Sequence, residues 1–182
     1  MAASKRSAAA RVRVLVLSGP NLDRLGKREP EIYGRKTLAE IYGDLSVFAS
    51  ARGVDVECRQ SNHEGSLVDW IGAASDDGFD GILLNAGSYT HTSFALYDAL
   101  KGSPLPAIEL HISNPDARES FRHVSTIAPV VKGRVAGFGP KSYELALDGL
   151  LALLDAAPKR AKAAPQKAVP RVATPRKRAP GR

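Results

Sequence analysis

Two side chains that could transfer a proton stand two positions apart in the segment IELHIS, which spans residues 108 to 113. They are Glu109 and His111, and on a strand both would project from the same face. Either group alone is costly to bury in an apolar sheet. A carboxylate that accepts a hydrogen bond from one imidazole nitrogen would fix the tautomer and leave the other nitrogen free. The pair therefore indicates either an oriented general acid or base, or a structural pair at a subunit contact.

A second segment, GPNLDRLGKREPEIYG at residues 19 to 34, resembles a phosphate-binding loop at first sight. Such a loop has four residues between its glycines, followed by Lys and a hydroxyl residue that holds Mg²⁺. Here six residues separate Gly19 from Gly26, and Arg28 occupies the hydroxyl position. The segment therefore does not predict a nucleotide site.

Further polar residues stand at or after the ends of apolar runs. Asn21 follows the first run, Asn85 closes the third and Ser113 ends the fourth. His91 could bind a hydroxyl group or cap a helix, whereas Asp98, near the middle of a predicted helix, is by default a solvated surface charge. The chain has a single cysteine, no His-Glu-x-x-His motif and no acidic cluster, so no metal site is predicted.

Short apolar runs that could form strands alternate with stretches of helical period. Because the runs are almost entirely apolar, they are typical of parallel strands covered by helices on both faces. We predict a flavodoxin-like, doubly wound, five-stranded parallel sheet in three α/β/α layers, with a ligand outside the carboxyl ends of the strands. The predicted strands span residues 12–18, 54–60, 80–86, 105–113 and 124–137, the last with a bend at Gly133.

Four helices are predicted from capping signals and apolar periodicity. Thr37 and Glu40 form a capping-box pattern, and Ser61 and Glu64 repeat it before the second helix. The third helix is predicted from near Thr92 to Gly102, and the fourth has Pro140 at its start.

Positive charge is concentrated at the two ends of the 182-residue chain, whose formal charge is +7. Residues 12–157 hold all 19 acidic residues and 14 Lys and Arg, a formal charge of −5. We therefore expect a basic extension at residues 1–11, one folded domain at 12–157 and a disordered Pro- and Ala-rich tail at 158–182. The tail could contact nucleic acid or an acidic surface, or have no partner. No signal or membrane-length segment is found, so a cytoplasmic protein without a membrane partner is expected.

Five blocks of the sequence, taken in order, resemble the type II 3-dehydroquinases over roughly residues 12 to 155. They are GPNLDRLGKREPEIYG, RQSNHEG, LNAGSYTHTSFALYDAL, IELHISNPDARESFR and GFGPKSYELAL. The resemblance implies trans elimination of water from 3-dehydroquinate to 3-dehydroshikimate through an enolate. It also implies no metal or organic cofactor, and a homododecamer built as four trimers. The same step serves the shikimate and quinate pathways, and the sequence does not choose between them.

Residue roles are implied by position in these blocks. Tyr33 would be the base, His111 the acid, Arg28 the cation beside the tyrosine, and Asn21 a stabiliser of the enolate through water. Asp98 would reach toward a neighbouring subunit's site. The implied substrate-binding set is Asn85, His91, Ile112, Ser113 and Arg122. Within it, Asn85 and the backbone of residues 112–113 would bind the carboxylate of the substrate.

Two other classes of function compete with this interpretation. A flavodoxin-like module that binds FMN or another nucleotide would need a Ser/Thr/Gly-rich loop after the first strand, and GPNLDR is a poor one. A nucleic-acid-binding protein would depend on residues 158–182, so deletion of that tail should abolish its function but leave an enzyme near normal.

Overall fold

Five parallel strands form one sheet in the computed structural model, which describes residues 11–27 and 35–156. The strands are β1 (Val12–Ser18), β2 (Val54–Gln60), β3 (Gly81–Asn85), β4 (Ala107–His111) and β5 (Gly133–Ala136). Their order across the sheet is β2-β1-β3-β4-β5, so the winding reverses between β1 and β3. The predicted flavodoxin-like fold is confirmed. Both terminal extensions, Arg28 and Tyr33 lie outside the described residues.

Four helices cover the two faces of the sheet: α1 (Leu38–Ser50), α2 (Glu64–Ala73), α3 (Phe94–Gly102) and α4 (Ser142–Ala156). One apolar layer joins α1 and α4 to the sheet, with Leu45 and Leu147 fully buried. A second layer joins α2 and α3 to the opposite face, with Leu67 and Leu96 fully buried. Because both faces are covered, β3 is buried along its whole length, as its apolar sequence predicts.

The predicted capping box of α1 is confirmed. The Glu40 N–H donates to Thr37 Oγ1 at 3.3 Å, and the Thr37 N–H donates to Glu40 Oε2 at 2.7 Å. The second predicted capping box is wrong, because α2 begins after His63 without a side-chain cap. Ser61 instead accepts the His63 N–H at 2.9 Å, a local turn that competes with helix capping.

The predicted fifth strand is also wrong over most of its length. Only Gly133–Ala136 pairs with β4, and residues 128–130 form a 3-10 turn. Pro129 in that turn has no N–H to donate to a neighbouring strand, and Ser125 Oγ accepts the Ala128 N–H at 3.0 Å. At the start of α4, Pro140 lies in a short 3-10 turn rather than in the helix.

No helix within residues 11–27 and 35–156 has the length and apolar character needed to cross a membrane.

Candidate active site

A cavity of about 210 Å³ opens at the carboxyl edge of the sheet, where the segments after β1, β3 and β4 meet. Seven residues singled out from the sequence line it: Asn21, Asn85, His91, His111, Ile112, Ser113 and Arg122. The other described residues that line it are Pro20, Leu22, Leu25, Gly87, Ser88, Pro115 and Arg118. The position agrees with the general expectation for doubly wound sheets, since the cavity lies where the winding reverses.

The ends of β1 and β3 approach each other closely at Gly19. Its N–H donates to the Asn85 carbonyl oxygen at 2.8 Å. A Cβ at this position would lie 2.4 Å from the Ala86 carbonyl oxygen, so only glycine fits. This contact fixes the distance between the two segments that carry Asn21 and Asn85.

Asn21 has a left-handed backbone, with φ of 63°, and is the one non-glycine residue with positive φ in the described part of the chain. Its N–H donates to Asn62 Oδ1 at 2.8 Å, which holds the turn after β1. Asn tolerates this region better than most residues, but such a conformation is uncommon and is enriched at functional sites.

Asn85 is held from behind by a buried network on the α1 and α4 side of the sheet. Its Oδ1 accepts the Gly87 N–H at 3.3 Å, so its Nδ2 is the group that donates to Tyr143 Oη at 3.3 Å. Tyr143 Oη also lies 2.9 Å from Ser18 Oγ. Burial raises the pKa of Tyr143 to about 12, so the phenol stays protonated at neutral pH. The second Nδ2 proton of Asn85 is left for the cavity.

Glu109 and His111 project from one face of β4, as the sequence predicts, and contact each other. His111 Nε2 lies 2.7 Å from Glu109 Oε1, and the Glu109 side chain is fully buried. A carboxylate accepts hydrogen bonds only, so Nε2 carries the proton in this bond. Nδ1 is then the nitrogen that can exchange a proton with a molecule in the cavity, which His111 lines.

Two further groups donate to Glu109. Ser125 Oγ lies 2.8 Å from Oε2, and Arg134 Nε lies 3.1 Å from Oε1. Burial alone raises the pKa of Glu109, but the hydrogen bonds and charge of His111, the Ser125 hydroxyl and the Arg134 charge outweigh it. The net pKa of Glu109 is lowered, so the carboxyl is ionised at neutral pH.

Three basic side chains surround the rest of the cavity. His91 Nδ1 donates to the Val124 carbonyl oxygen at 2.7 Å, which leaves Nε2 for a ligand. Arg122 Nε donates to Glu119 Oε2 at 2.8 Å, and Arg118 contacts the same carboxylate oxygen at 3.3 Å. Because guanidinium groups carry a permanent positive charge, this part of the cavity suits an anionic ligand.

Two described residues singled out from the sequence are not in the cavity lining. Glu109 lies behind His111, and Asp98 is exposed on α3, away from the cavity of its own chain. Arg28 and Tyr33 are outside the described residues. Sequence reasoning missed Arg118, although it stands four positions before Arg122 in the quoted segment IELHISNPDARESFR. Within the ranges described, no group of three or more His, Cys, Asp or Glu could hold a metal ion.

Comparison with known proteins agrees with this geometry. The family model "Dehydroquinase class II" matches residues 12–151. A Chelativorans sp. protein named 3-dehydroquinate dehydratase is 58% identical over 142 residues, covering 78% of this chain and 97% of that protein. A relative of the same name from Halalkalibacterium halodurans is 53% identical over 138 residues, 76% of this chain and 94% of its own length.

Solved structures give the same answer. The type II dehydroquinase from Butyrivibrio crossotus superposes with a TM-score of 0.76 at 43% identity, covering 78% of this chain and 98% of that one. The type II dehydroquinase from Propionibacterium acnes gives 0.74, also at 43% identity, covering 79% of this chain and 99% of that one. The chain therefore belongs to the class II dehydroquinase family.

Proposed function

We propose that the protein eliminates water from 3-dehydroquinate in the trans sense to give 3-dehydroshikimate, with Tyr33 as base and His111 as acid. The substrate is inferred from the relatives, which carry the name 3-dehydroquinate dehydratase. The observation that carries the mechanism is the His111 imidazole, whose Nε2–H is held by the buried Glu109 carboxylate at the edge of the cavity.

His111 delivers a proton to the departing hydroxyl group in this mechanism. The ionised Glu109 carboxylate accepts the Nε2–H and orients the ring, so that Nδ1 can donate its proton as the C–O bond breaks. The proton leaves from Nδ1, and the imidazole keeps Nε2–H toward Glu109 throughout. Water departs, and the ring is neutral until it is reprotonated from solvent.

Tyr33 removes the proton beside the ketone and produces the enolate. A free tyrosine has a pKa of about 10, so ionisation near pH 7 requires roughly 4 kcal/mol of preference for the phenolate. We infer that the Arg28 guanidinium supplies much of this preference in a site that excludes water. This step rests on the sequence resemblance, since both residues lie outside the described part of the chain.

The remaining cavity residues orient the substrate. The free Nδ2–H of Asn85 and the backbone of Ile112 and Ser113 bind the carboxylate, and Asn21 stabilises the enolate through water. His91 and Arg122 complete the binding set. Their common position around one cavity supports these assignments. No metal or organic cofactor takes part in any step.

We propose a homododecamer of four trimers, in which Asp98 reaches a neighbouring subunit's site. Exposed large apolar side chains on α3 and in residues 121–124 support self-association, since Phe94 is 74% exposed, Val124 65% and Phe121 64%. Size-exclusion chromatography with light scattering tests the assembly, and a monomer with full turnover would contradict it. The cytoplasmic location and the contact of the tail with nucleic acid or an acidic surface stay predictions.

The test is an assay of purified protein with 3-dehydroquinate and EDTA, following the ultraviolet absorbance of the conjugated product. The variants are Tyr33→Phe and His111→Asn, with Tyr97→Phe as the matched tyrosine control on α3. Turnover should survive EDTA and Tyr97→Phe, and fall by about 10²-fold or more in the other two. Absence of turnover in the assembled wild type would refute the function. Near-normal turnover in Tyr33→Phe would refute the base.

A further inference from the structure

Arg134 stands directly opposite Glu109 in the pairing of β4 with β5. Its Nε lies 3.1 Å from Glu109 Oε1, the oxygen that also accepts the His111 Nε2–H at 2.7 Å. The strand register therefore makes one carboxylate oxygen the shared partner of a permanent cation and the imidazole. The positive charge of Arg134 offsets part of the negative charge of Glu109, so Glu109 attracts a protonated His111 ring less strongly than it would alone.

Ser125 restrains the other oxygen of the same carboxylate. Its Oγ accepts the Ala128 N–H at 3.0 Å, so its proton is directed to Glu109 Oε2, 2.8 Å away. Glu109 is fully buried, so rotating its carboxylate would leave at least one donor without a partner.

We propose that Arg134 and Ser125 are positioning residues for the acid: Ser125 fixes the orientation of the Glu109 carboxylate, and Arg134 draws part of its charge away from His111. The inference rests on the proposed function. Its consequence is that His111 releases its proton to the leaving group more readily than it would beside Glu109 alone.

The other charged or titratable groups around His111 remain the same in the variants that test this. On the cavity side they are His91, Arg118 and Arg122, together with the proposed Arg28 and Tyr33. Tyr143, on α4, belongs to the opposite face of the sheet. In the proposed mechanism the alkaline limb of the pH profile reports loss of the His111 proton, and the acid limb reports Tyr33.

The central experiment replaces Arg134 and follows His111 in two ways. The first measurement is the pH dependence of kcat with 3-dehydroquinate. The second is an NMR titration of the His111 ring without substrate, assigned from its absence in His111→Asn. In Arg134→Gln both midpoints should rise by about 0.5 to 1 pH unit, because a partly screened positive charge has been removed. Arg134→Lys should restore most of the wild-type value.

The matched control is Lys132→Gln, which removes the same formal charge from an exposed position two residues away. It should move neither midpoint by more than about 0.2 pH unit, since among the described residues Arg134, and not Lys132, forms the ion pair with Glu109, and an exposed charge outside such a pair is screened. If Arg134→Gln lowers kcat equally at all pH values with both midpoints unchanged, Arg134 is merely structural and the proposal is overturned. Equal shifts in both variants would overturn it as well.

Ser125 is tested by Ser125→Ala and Ser125→Thr. Loss of a hydrogen bond to the buried carboxylate should lower kcat about tenfold with KM unchanged, and threonine should restore it. A kcat unchanged in Ser125→Ala would overturn the role of Ser125. If the wild type has no turnover, the proposed function fails, and the NMR titration still decides whether Arg134 acts on His111.

Discussion

Gly19→Ala should damage both stability and catalysis, because β1 and β3 approach too closely there for a side chain. The added Cβ would lie 2.4 Å from the Ala86 carbonyl oxygen and 2.7 Å from its carbon. Real Cβ atoms essentially never come within 3.0 Å of another atom, so the two segments must separate by roughly 0.6 Å, the difference between 3.0 and 2.4 Å. The contacting atoms of Ala86 belong to its backbone, and the residue is fully buried. Ala86 therefore cannot move aside without moving the neighbouring chain.

The expected losses of stability and of kcat/KM in Gly19→Ala follow from the packing at this contact and from the residues that it positions. Overpacking of this kind destabilises a protein by about 1–3 kcal/mol. Separation also strains the bond from the Gly19 N–H to the Asn85 carbonyl and moves Asn21 relative to Asn85. A 1 Å misplacement in an active site can cost about 10²-fold in rate, so we expect kcat/KM to fall at least tenfold.

Urea unfolding and steady-state kinetics with 3-dehydroquinate measure the two effects. The control is Gly43→Ala in the interior of α1, where the new Cβ would have no atom within 4 Å. There alanine should stabilise the protein by about 0.5–1 kcal/mol and leave kcat/KM unchanged. A Gly19→Ala protein with wild-type stability and turnover would show that the close approach does not position the site.

Three further predictions concern single contacts. Thr37→Ala removes the cap of α1 and should lower the free energy of urea unfolding by about 1 kcal/mol with kcat unchanged. A lowered kcat in this variant would contradict a purely local role. Tyr143→Phe leaves buried Ser18 and Asn85 groups without a partner, so it should cost about 1–3 kcal/mol in the same assay and raise KM; unchanged stability and KM would refute the network. Because the pKa of Glu109 is lowered on folding, its ionised form stabilises the protein above the unfolded pKa, and this contribution is lost as pH falls through the folded pKa. The stability advantage of wild type over Glu109→Gln should therefore be constant above about pH 5 and shrink below about pH 4; an advantage independent of pH would contradict this.

The sequence predicted the sheet well where a strand ends at a strong turn signal. β1 and β2 have the predicted bounds, and each is followed directly by turn residues, Gly19-Pro20-Asn21 after β1 and Ser61-Asn62 after β2. The same reasoning failed for residues 124–132, because apolar composition does not distinguish a strand from an irregular segment packed on the core. Ile127 is fully buried there without any strand pairing.

Much of the cavity also followed from one rule, that parallel strands bring their carboxyl ends to the same edge. This rule brought Asn21, Asn85 and His111 together without any distance information. It could not find the pair between Arg134 and Glu109, because that contact depends on the register of β4 with β5. Periodicity gives the face on which a side chain lies, whereas register requires knowledge of which residues are opposite each other.

The cavity residues Asn85 and His111 are held by side chains on opposite faces of the sheet. Asn85 is held through Tyr143 on the α1 and α4 side, while His111 is held through Glu109, Ser125 and Arg134 on the α2 and α3 side. The two networks share no residue, and the buried strands β3 and β4 lie between them. No side-chain hydrogen bond of the described residues joins one network to the other. In the proposed mechanism the proton donor and the substrate carboxylate site can therefore be changed separately, and Arg134→Gln should alter the pH dependence of kcat while leaving KM unchanged.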